Sequence, residues 1–101
     1  MTLVIDDEAR QELREAARFY EDCRAGLGQE FLNAIEGAYV DIQERPKLWR
    51  RLRGRFRHYL LRRFPYAVIY AIEPDCIYVA AIAHTKRSPD YWIHRRRRDR
   101  G

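Results

Sequence analysis

Residues 66–83 read YAVIYAIEPDCIYVAAIA, and this stretch decides the fold. Residues 66–72 and residues 76–83 form two apolar runs, and their β-branched and aromatic residues are typical of strands rather than of a buried helix. Glu73, Pro74 and Asp75 separate the two runs and predict a turn. Because residues 66–72 are apolar on both faces, we expect this strand to be the most buried of the sheet.

The first half of the chain predicts two helices. Apolar side chains recur three and four positions apart over residues 9–23 and again over residues 31–42, as on one face of an amphipathic helix. Asp6 is suited to cap the first helix, and the glycines that begin at Gly26 are suited to end it. Pro46 stops the second helix. The short gap between the two helices predicts an antiparallel hairpin.

Two weaker strand signals complete the predicted fold. Residues 55–64 alternate loosely between apolar and polar, and residues 3–5 are a short apolar segment. Pro65 separates the predicted strand over residues 55–64 from the predicted strand over residues 66–72, either as a bulge or as a turn. The predicted fold class is α+β, in which a helical hairpin packs on a small, mainly antiparallel sheet in the order β-α-α-β-β-β.

Length and composition indicate one domain. We expect a single domain over residues 1–95 and a basic tail over residues 96–101, with the backbone frayed over residues 95–101. Cys23 and Cys76 are far apart and predict reduced thiols in a cytoplasmic protein. No apolar run is long enough to span a membrane, and no spacing of histidines, cysteines or carboxylates predicts a metal or a cofactor.

Charge is distributed unevenly along the chain. Residues 1–44 carry eleven acidic and four basic side chains, whereas residues 45–101 carry four acidic and sixteen basic ones, so the halves have net charges of −7 and +12. The stretch over residues 49–64, WRRLRGRFRHYLLRRF, interleaves arginines with aromatic residues. This pattern predicts an anionic partner for the second half, either nucleic acid or an acidic peptide.

Candidate chemical groups cluster after the last predicted strand. His84 is a candidate general acid or base, and His58 is a weaker one. Lys86 and Arg87 could stabilise charge on a phosphate. Tyr91 could donate or accept a proton, although an ordinary phenol is a poor base near pH 7. A histidine at the end of a strand is more often a hydrogen-bonded structural residue than a catalytic one.

Three ordered segments of the chain resemble a known superfamily. The segments GLGQEFLNAIEGA, IQERPKLW and FPYAVIYAIEPDCIYVAAIAHTKRSPDYW are similar to those of the RelE/ParE toxin superfamily of type II toxin–antitoxin systems, and the similarity covers residues 6–95. The ParE-like, plasmid-stabilisation branch is the most similar. The resemblance implies a helical hairpin on an antiparallel sheet, as the residue pattern also predicts.

The resemblance also implies function. It implies a growth-inhibiting toxin that a cognate antitoxin neutralises, in a hetero-oligomer in which an often acidic antitoxin segment covers the toxin. In the ParE-like reading the target is DNA gyrase, and the contacts to target or antitoxin are Arg57, Arg63, Lys86 and Arg87.

The alternative is a RelE-type, ribosome-dependent endoribonuclease that cleaves mRNA without a metal. Its catalytic residues would be His84, Lys86, Arg87 and Tyr91. RelE-type nucleases usually carry an arginine where this chain has Ala67, so a phosphate-stabilising group is absent at that position. Only a register shift at Pro65 would let Arg63 replace it. The residues therefore favour the gyrase reading.

Overall fold

The structure consists of one five-stranded sheet and two helices. It is a computed structural model that describes residues 1–88 and 90–97. The elements in chain order are β1 (Leu3–Ile5), α1 (Asp7–Cys23), α2 (Leu27–Glu44), β2 (Arg51–Arg53), β3 (Phe56–Leu60), β4 (Tyr66–Ile72) and β5 (Ile77–His84). The strands lie in the order β1-β5-β4-β3-β2, and every neighbouring pair is antiparallel except β1 and β5. The predicted α+β fold is confirmed.

Local capping interactions explain where the two helices begin and end. Asp6 caps α1, because its Oδ1 accepts a hydrogen bond from the Glu8 N–H at 2.8 Å. Between the helices, Gly26 adopts a left-handed φ of 88°, which favours glycine. The Glu21 carboxylate accepts hydrogen bonds from the N–H groups of Gly26 and Gly28 at 3.0–3.1 Å, and so satisfies free donors at the start of α2. The predicted helical hairpin is confirmed.

The sheet buries both of its faces. On one face, which we call the helix face, α1 and α2 pack against β4 and β5. The residues of this core include Ala9, Ala16, Phe31, Ile35, Ala38, Ile42, Val68, Tyr70, Val79 and Ile82. The opposite face, which we call the second face, is rich in alanine, and the chain over residues 90–97 lies across it. Trp92 is only 3% exposed there and packs edge-on against Phe56, with a centroid distance of 4.9 Å.

Several local expectations are corrected. β5 is buried at every position but the last, whereas both ends of β4 are partly exposed, so β4 is not the most buried strand. β1 and α1 lie against β5 and account for its burial. Pro65 lies in the turn between β3 and β4, which is one of its two predicted roles. The register shift between β4 and β5 occurs instead at Ile69 and Tyr70, where Ala80 is the extra residue of β5. The short strand β2 was not predicted.

The prediction that the chain frays from residue 95 is wrong for residues 95–97. The Arg95 side chain is 11% exposed and forms ion pairs with two glutamates of α1, and Arg97 pairs with Asp75 at 2.6 Å. Residues 98–101, the end of the predicted basic tail, lie outside the described residues. Within residues 1–88 and 90–97, neither helix has the length and apolarity that a membrane-spanning segment needs.

Truncating Trp92 tests whether the second face contributes to stability. We expect Trp92→Ala to lower the free energy of unfolding by about 3–5 kcal/mol, because it leaves a cavity between residues 90–97 and the sheet. Phe19→Ala is the matched control, since Phe19 is 60% exposed on α1, and we expect a change of about 0.5 kcal/mol or less. Urea denaturation of both variants measures the difference, and equal losses would contradict this account.

Candidate functional site

The candidate residues Arg63, His84, Lys86 and Arg87 lie at one end of the sheet. His84 is the last residue of β5 and pairs with Tyr66, the first residue of β4. The Thr85 N–H donates to the Pro65 carbonyl at 2.9 Å, which ties the loop after β5 to the loop before β4. The antiparallel pairing of β4 and β5 therefore brings both loops together. Arg57 lies elsewhere, in the middle of the pairing between β3 and β4.

His84 is oriented by its own loop. Its Nδ1 accepts a hydrogen bond from the Lys86 N–H at 3.0 Å, and its ring lies edge-on to the Tyr66 ring at a centroid distance of 5.1 Å. Because Nδ1 is the acceptor, the neutral ring carries its proton on Nε2. In this state the Nε2–H group can donate a hydrogen bond, and neither ring nitrogen is free to take a proton from a substrate. The geometry therefore opposes the general-base role for His84.

Tyr91 lies between two guanidinium groups. The Arg87 guanidinium is 3.8 Å from the ring centroid and that of Arg95 is 5.0 Å from it. The Tyr91 hydroxyl is buried and forms no hydrogen bond of good geometry within the described chain. Burial, and then the nearby Glu12 carboxylate, raise the pKa of Tyr91 above its usual value. A buried phenol with a raised pKa is poorly suited to accept or relay a proton at neutral pH.

Glu12 and Arg95 form a partly buried ion pair that sequence analysis did not predict. Their side chains are 12% and 11% exposed, and the two Nη atoms of Arg95 donate to the Glu12 carboxylate at 2.9 and 3.1 Å. Glu12 also accepts from the Ile82 N–H at 3.0 Å, and Arg95 donates to the Ala80 carbonyl at 2.9 Å. β1 pairs with β5 only as far as Val79, so the edge of β5 beyond Val79 has no neighbouring strand. The ion pair satisfies the Ile82 N–H and the Ala80 carbonyl on this edge.

A signal for Glu12 was present in the sequence. Glu12 stands beside Ala9, Leu13 and Ala16 in α1, so its position predicts a partly buried carboxylate that needs a partner. Arg95 offered no such signal, because it begins a run of four arginines in which each is an equally good partner.

Arg57 and Arg63 are held by other parts of the protein. Arg57 Nη1 donates to the carbonyls of Lys47 and Trp49, at 3.2 and 2.8 Å, and so braces the loop between α2 and β2. Arg63 forms an ion pair with Glu30 of α2 at 2.5 Å and lowers the pKa of that carboxylate. Arg63 is thus directed toward α2, on the helix side of the sheet.

Ala67 lies on the second face, opposite to the side on which Arg63 pairs. It stands across from Leu60 in β3 and Ala83 in β5, and all three belong to the wall of a shallow groove. An arginine at position 67 would project into this groove. Since the register shift does not occur at Pro65, Arg63 does not replace the absent arginine.

The groove on the second face has a volume of about 220 Å³. It is lined by Leu52, His58, Leu60, Ala67, Ile69, Ala83, His84, Thr85, Arg87, Ser88 and Trp92. Burial, and then repulsion by Arg50, lower the pKa of His58 below its usual value, so His58 is neutral at pH 7. None of the described lining residues is a carboxylate, so the groove is apolar at its floor and basic at its rim.

One group of possible metal ligands lies at the other end of the sheet. Glu73, Asp75 and Cys76 bring three ligand atoms within 4.8 Å of one another. Both carboxylates already pair with arginine, since Arg97 contacts Asp75 at 2.6 Å and Arg55 contacts Glu73 at 2.7 Å. These ion pairs neutralise the charge that would attract a cation.

Comparison with known proteins gives two findings. The model of the family described as "ParE toxin of type II toxin-antitoxin system, parDE" matches residues 3–89. A solved structure titled "Chromosomal ParDE TA system from P. aeruginosa" is similar with a TM-score of 0.65 and 14% identity, over 85% of this chain and 97% of that chain. At this identity the structural likeness shows the fold. No curated protein sequence matches.

Removing the charge of Glu12 tests the importance of the buried pair. We expect Glu12→Gln to lower the free energy of unfolding by about 2 kcal/mol, because the Arg95 guanidinium then keeps only the exposed carboxylate of Glu8 as a counter-charge. Asp90→Asn is the matched control, since the ion pair of Asp90 with Arg53 is exposed and worth about 1 kcal/mol or less. Urea denaturation at neutral pH compares the two variants. If Asp90→Asn costs as much as Glu12→Gln, the buried pair has no special weight.

Proposed function

The chain belongs to the ParE toxin family of type II toxin–antitoxin systems, and from this premise we propose that it arrests growth by binding DNA gyrase. We further propose that a cognate ParD-type antitoxin holds it inactive in a hetero-oligomer. The solved relative titled as a ParDE system supports this partner. Such a toxin acts in the cytoplasm, where gyrase meets DNA.

The contacts of the four candidate nuclease residues support a mechanism based on binding. His84 uses Nδ1 to accept the Lys86 N–H, and the Tyr91 hydroxyl is buried. The Arg87 guanidinium stacks on Tyr91 and lies 3.7 Å from the Glu12 carboxylate. The Lys86 ammonium alone has no ion-pair partner within the described chain. General acid–base catalysis needs an available acid or base beside phosphate-binding cations, whereas here His84 Nδ1 is engaged, the Tyr91 hydroxyl is buried and the Arg87 guanidinium is stacked.

The proposed contact surface is the end of the sheet where β5 finishes. Lys86 and Arg87 are exposed there, and Arg63 is exposed beside them although it pairs with Glu30. Arg57 is a weaker candidate, because its guanidinium already satisfies two carbonyls of the loop between α2 and β2. A gyrase or antitoxin surface that binds here can pair with Lys86 directly. Arg63 and Arg87 would first have to leave their present partners, which are Glu30 and Glu12.

Parallel assays of gyrase and translation test the target. We expect the purified protein to raise gyrase-dependent cleavage of plasmid DNA and to leave translation in a purified extract unchanged. We expect Tyr91→Phe to keep this activity, because the phenol hydroxyl is buried and forms no hydrogen bond of good geometry. The endoribonuclease reading gives the opposite result: arrested translation, unaffected gyrase and loss of activity in Tyr91→Phe.

Charge reversal at Lys86 tests the contact surface. We expect Lys86→Glu to weaken gyrase poisoning by about tenfold or more, because it replaces a free cation by a like charge facing an anionic surface. Arg18→Glu is the control, since Arg18 is an exposed arginine of α1 that is not in the loop after β5 and has no ion-pair partner within residues 1–88 and 90–97. Dose–response curves for DNA cleavage measure both variants, and equal effects would place the contact surface elsewhere.

A further inference from the structure

We propose that the loop between α2 and β2 binds the phosphate backbone of duplex DNA without regard to base sequence. Four exposed cations lie close together in the chain here, and we call them the loop cations: Arg45, Lys47, Arg50 and Arg51. None of them forms an ion pair within residues 1–88 and 90–97. DNA would be a partner in addition to the gyrase protein, so the proposal goes beyond the proposed function.

The backbone of this loop is fixed by donors from inside the protein. The Tyr70 hydroxyl donates to the Pro46 carbonyl at 2.6 Å, and the Arg57 guanidinium braces two further carbonyls of the loop. The His58 N–H donates to the Arg50 carbonyl at 3.0 Å. Because these carbonyls already have partners, the loop presents positive side chains on an ordered backbone, and binding costs little backbone entropy.

Two of the loop cations lie against other basic groups of the protein. Arg51 stands opposite Arg57 in the register of β2 and β3, and like charges in opposite positions destabilise a sheet. Burial, and then repulsion by Arg50, lower the pKa of His58. Arg45 does have an internal role, since it ends α2, where the helix dipole favours a positive charge. A bound anion would offset the repulsion that the fold leaves at Arg50 and Arg51.

The exposure of the loop cations favours nucleic acid over an acidic polypeptide. An exposed ion pair with a carboxylate is worth about 1 kcal/mol or less, so a protein partner would also need a large complementary surface. Leu48 is 59% exposed in this loop, but a single apolar side chain buries little area. Duplex DNA carries a charge about every 1.7 Å and releases condensed counterions when its phosphates are neutralised. Exposed cations on an ordered loop are therefore sufficient to bind it.

The aromatic residue of the loop favours a duplex over a single strand. Trp49 is half-buried, and its ring packs edge-on against Tyr59 at a centroid distance of 4.5 Å. Proteins that bind single strands use exposed aromatic faces on which bases stack. Residues 45–51 offer no such face, so the contacts of the loop are with phosphates, which carry no sequence information.

Binding of labelled duplexes of about 20 base pairs to the full chain, without gyrase, tests the proposal. We expect the logarithm of the binding constant to fall with the logarithm of the salt concentration with a slope between about −3 and −4, because each neutralised phosphate contributes about −0.9. Two duplexes of unrelated sequence should bind within about twofold of each other. Both should bind about tenfold or more tightly than an oligoglutamate of equal charge, whose charges are about twice as far apart. Fluorescence anisotropy between about 50 and 200 mM KCl measures these affinities.

A double variant and a control of equal charge locate the binding. We expect Lys47→Ala with Arg50→Ala to reduce the slope by about 2 and to weaken duplex binding about tenfold or more. Arg14→Ala with Arg18→Ala removes two exposed cations of α1 that also lack ion pairs within residues 1–88 and 90–97, and we expect the slope to change by less than about 0.5. All four side chains are exposed, and thermal unfolding checks that each variant is folded.

Four results would each overturn the proposal. They are no measurable duplex binding by the full chain, an oligoglutamate that binds as tightly as the duplex, an unchanged slope in the Lys47→Ala and Arg50→Ala variant, and equal losses in the two double variants. None of these outcomes depends on gyrase, so a failed gyrase assay is a separate result.

Discussion

The Glu12–Arg95 ion pair joins three parts of the molecule, and Glu8 of α1 supplies Arg95 with a second carboxylate. Glu12 lies in α1, Arg95 lies in the segment that crosses the second face, and both contact backbone groups of β5. The pair is needed because β1 is short and leaves the outer edge of β5 uncovered beyond Val79. An uncovered strand edge invites pairing with another chain, and two charged side chains here satisfy its backbone groups instead. Their mutual charge compensates for burial, which neither could sustain alone.

The position of the last segment determines what the second face can do. Because Arg95 is fixed, Trp92 lies over the alanine-rich centre of the sheet, and Tyr91 is enclosed between Arg87 and Arg95. The aromatic surface is thereby covered, and the part left open is the shallow groove floored by Ala67 and Ala83. The same contacts that stabilise the fold thus enclose the Tyr91 hydroxyl and hold the Arg87 guanidinium against its ring, and our proposal of a binding mechanism rests on this arrangement.

The fold could be predicted from the sequence where the signal was local. The helices over Asp7–Cys23 and Leu27–Glu44 follow from apolar periodicity and from the glycines between them, and β4 and β5 follow from uninterrupted apolar runs. The strand β2 could not be predicted, because its three exposed residues, two of them arginines, resemble a solvated loop. The site could not be predicted in detail for a different reason. Each arginine has several possible partners, and only the tertiary structure decides that Arg63 meets Glu30 while Arg57 meets two carbonyls.

The segregation of charge along the chain has an internal explanation as well as an external one. Acidic residues of the first half, Glu8, Glu12 and Glu30, pair with Arg95 and Arg63 of the second half, so part of the opposite charge of the two halves is neutralised on folding. A run of arginines is therefore weaker support for an anionic partner than the composition suggests. Arg50, Arg62 and Lys86 are among the cations without an ion-pair partner within residues 1–88 and 90–97, but positive charge alone does not decide between carboxylate and phosphate as the partner group. Leu52 and Leu60 are 43% and 54% exposed beside Arg87, so a partner that binds here must match apolar surface as well as positive charge.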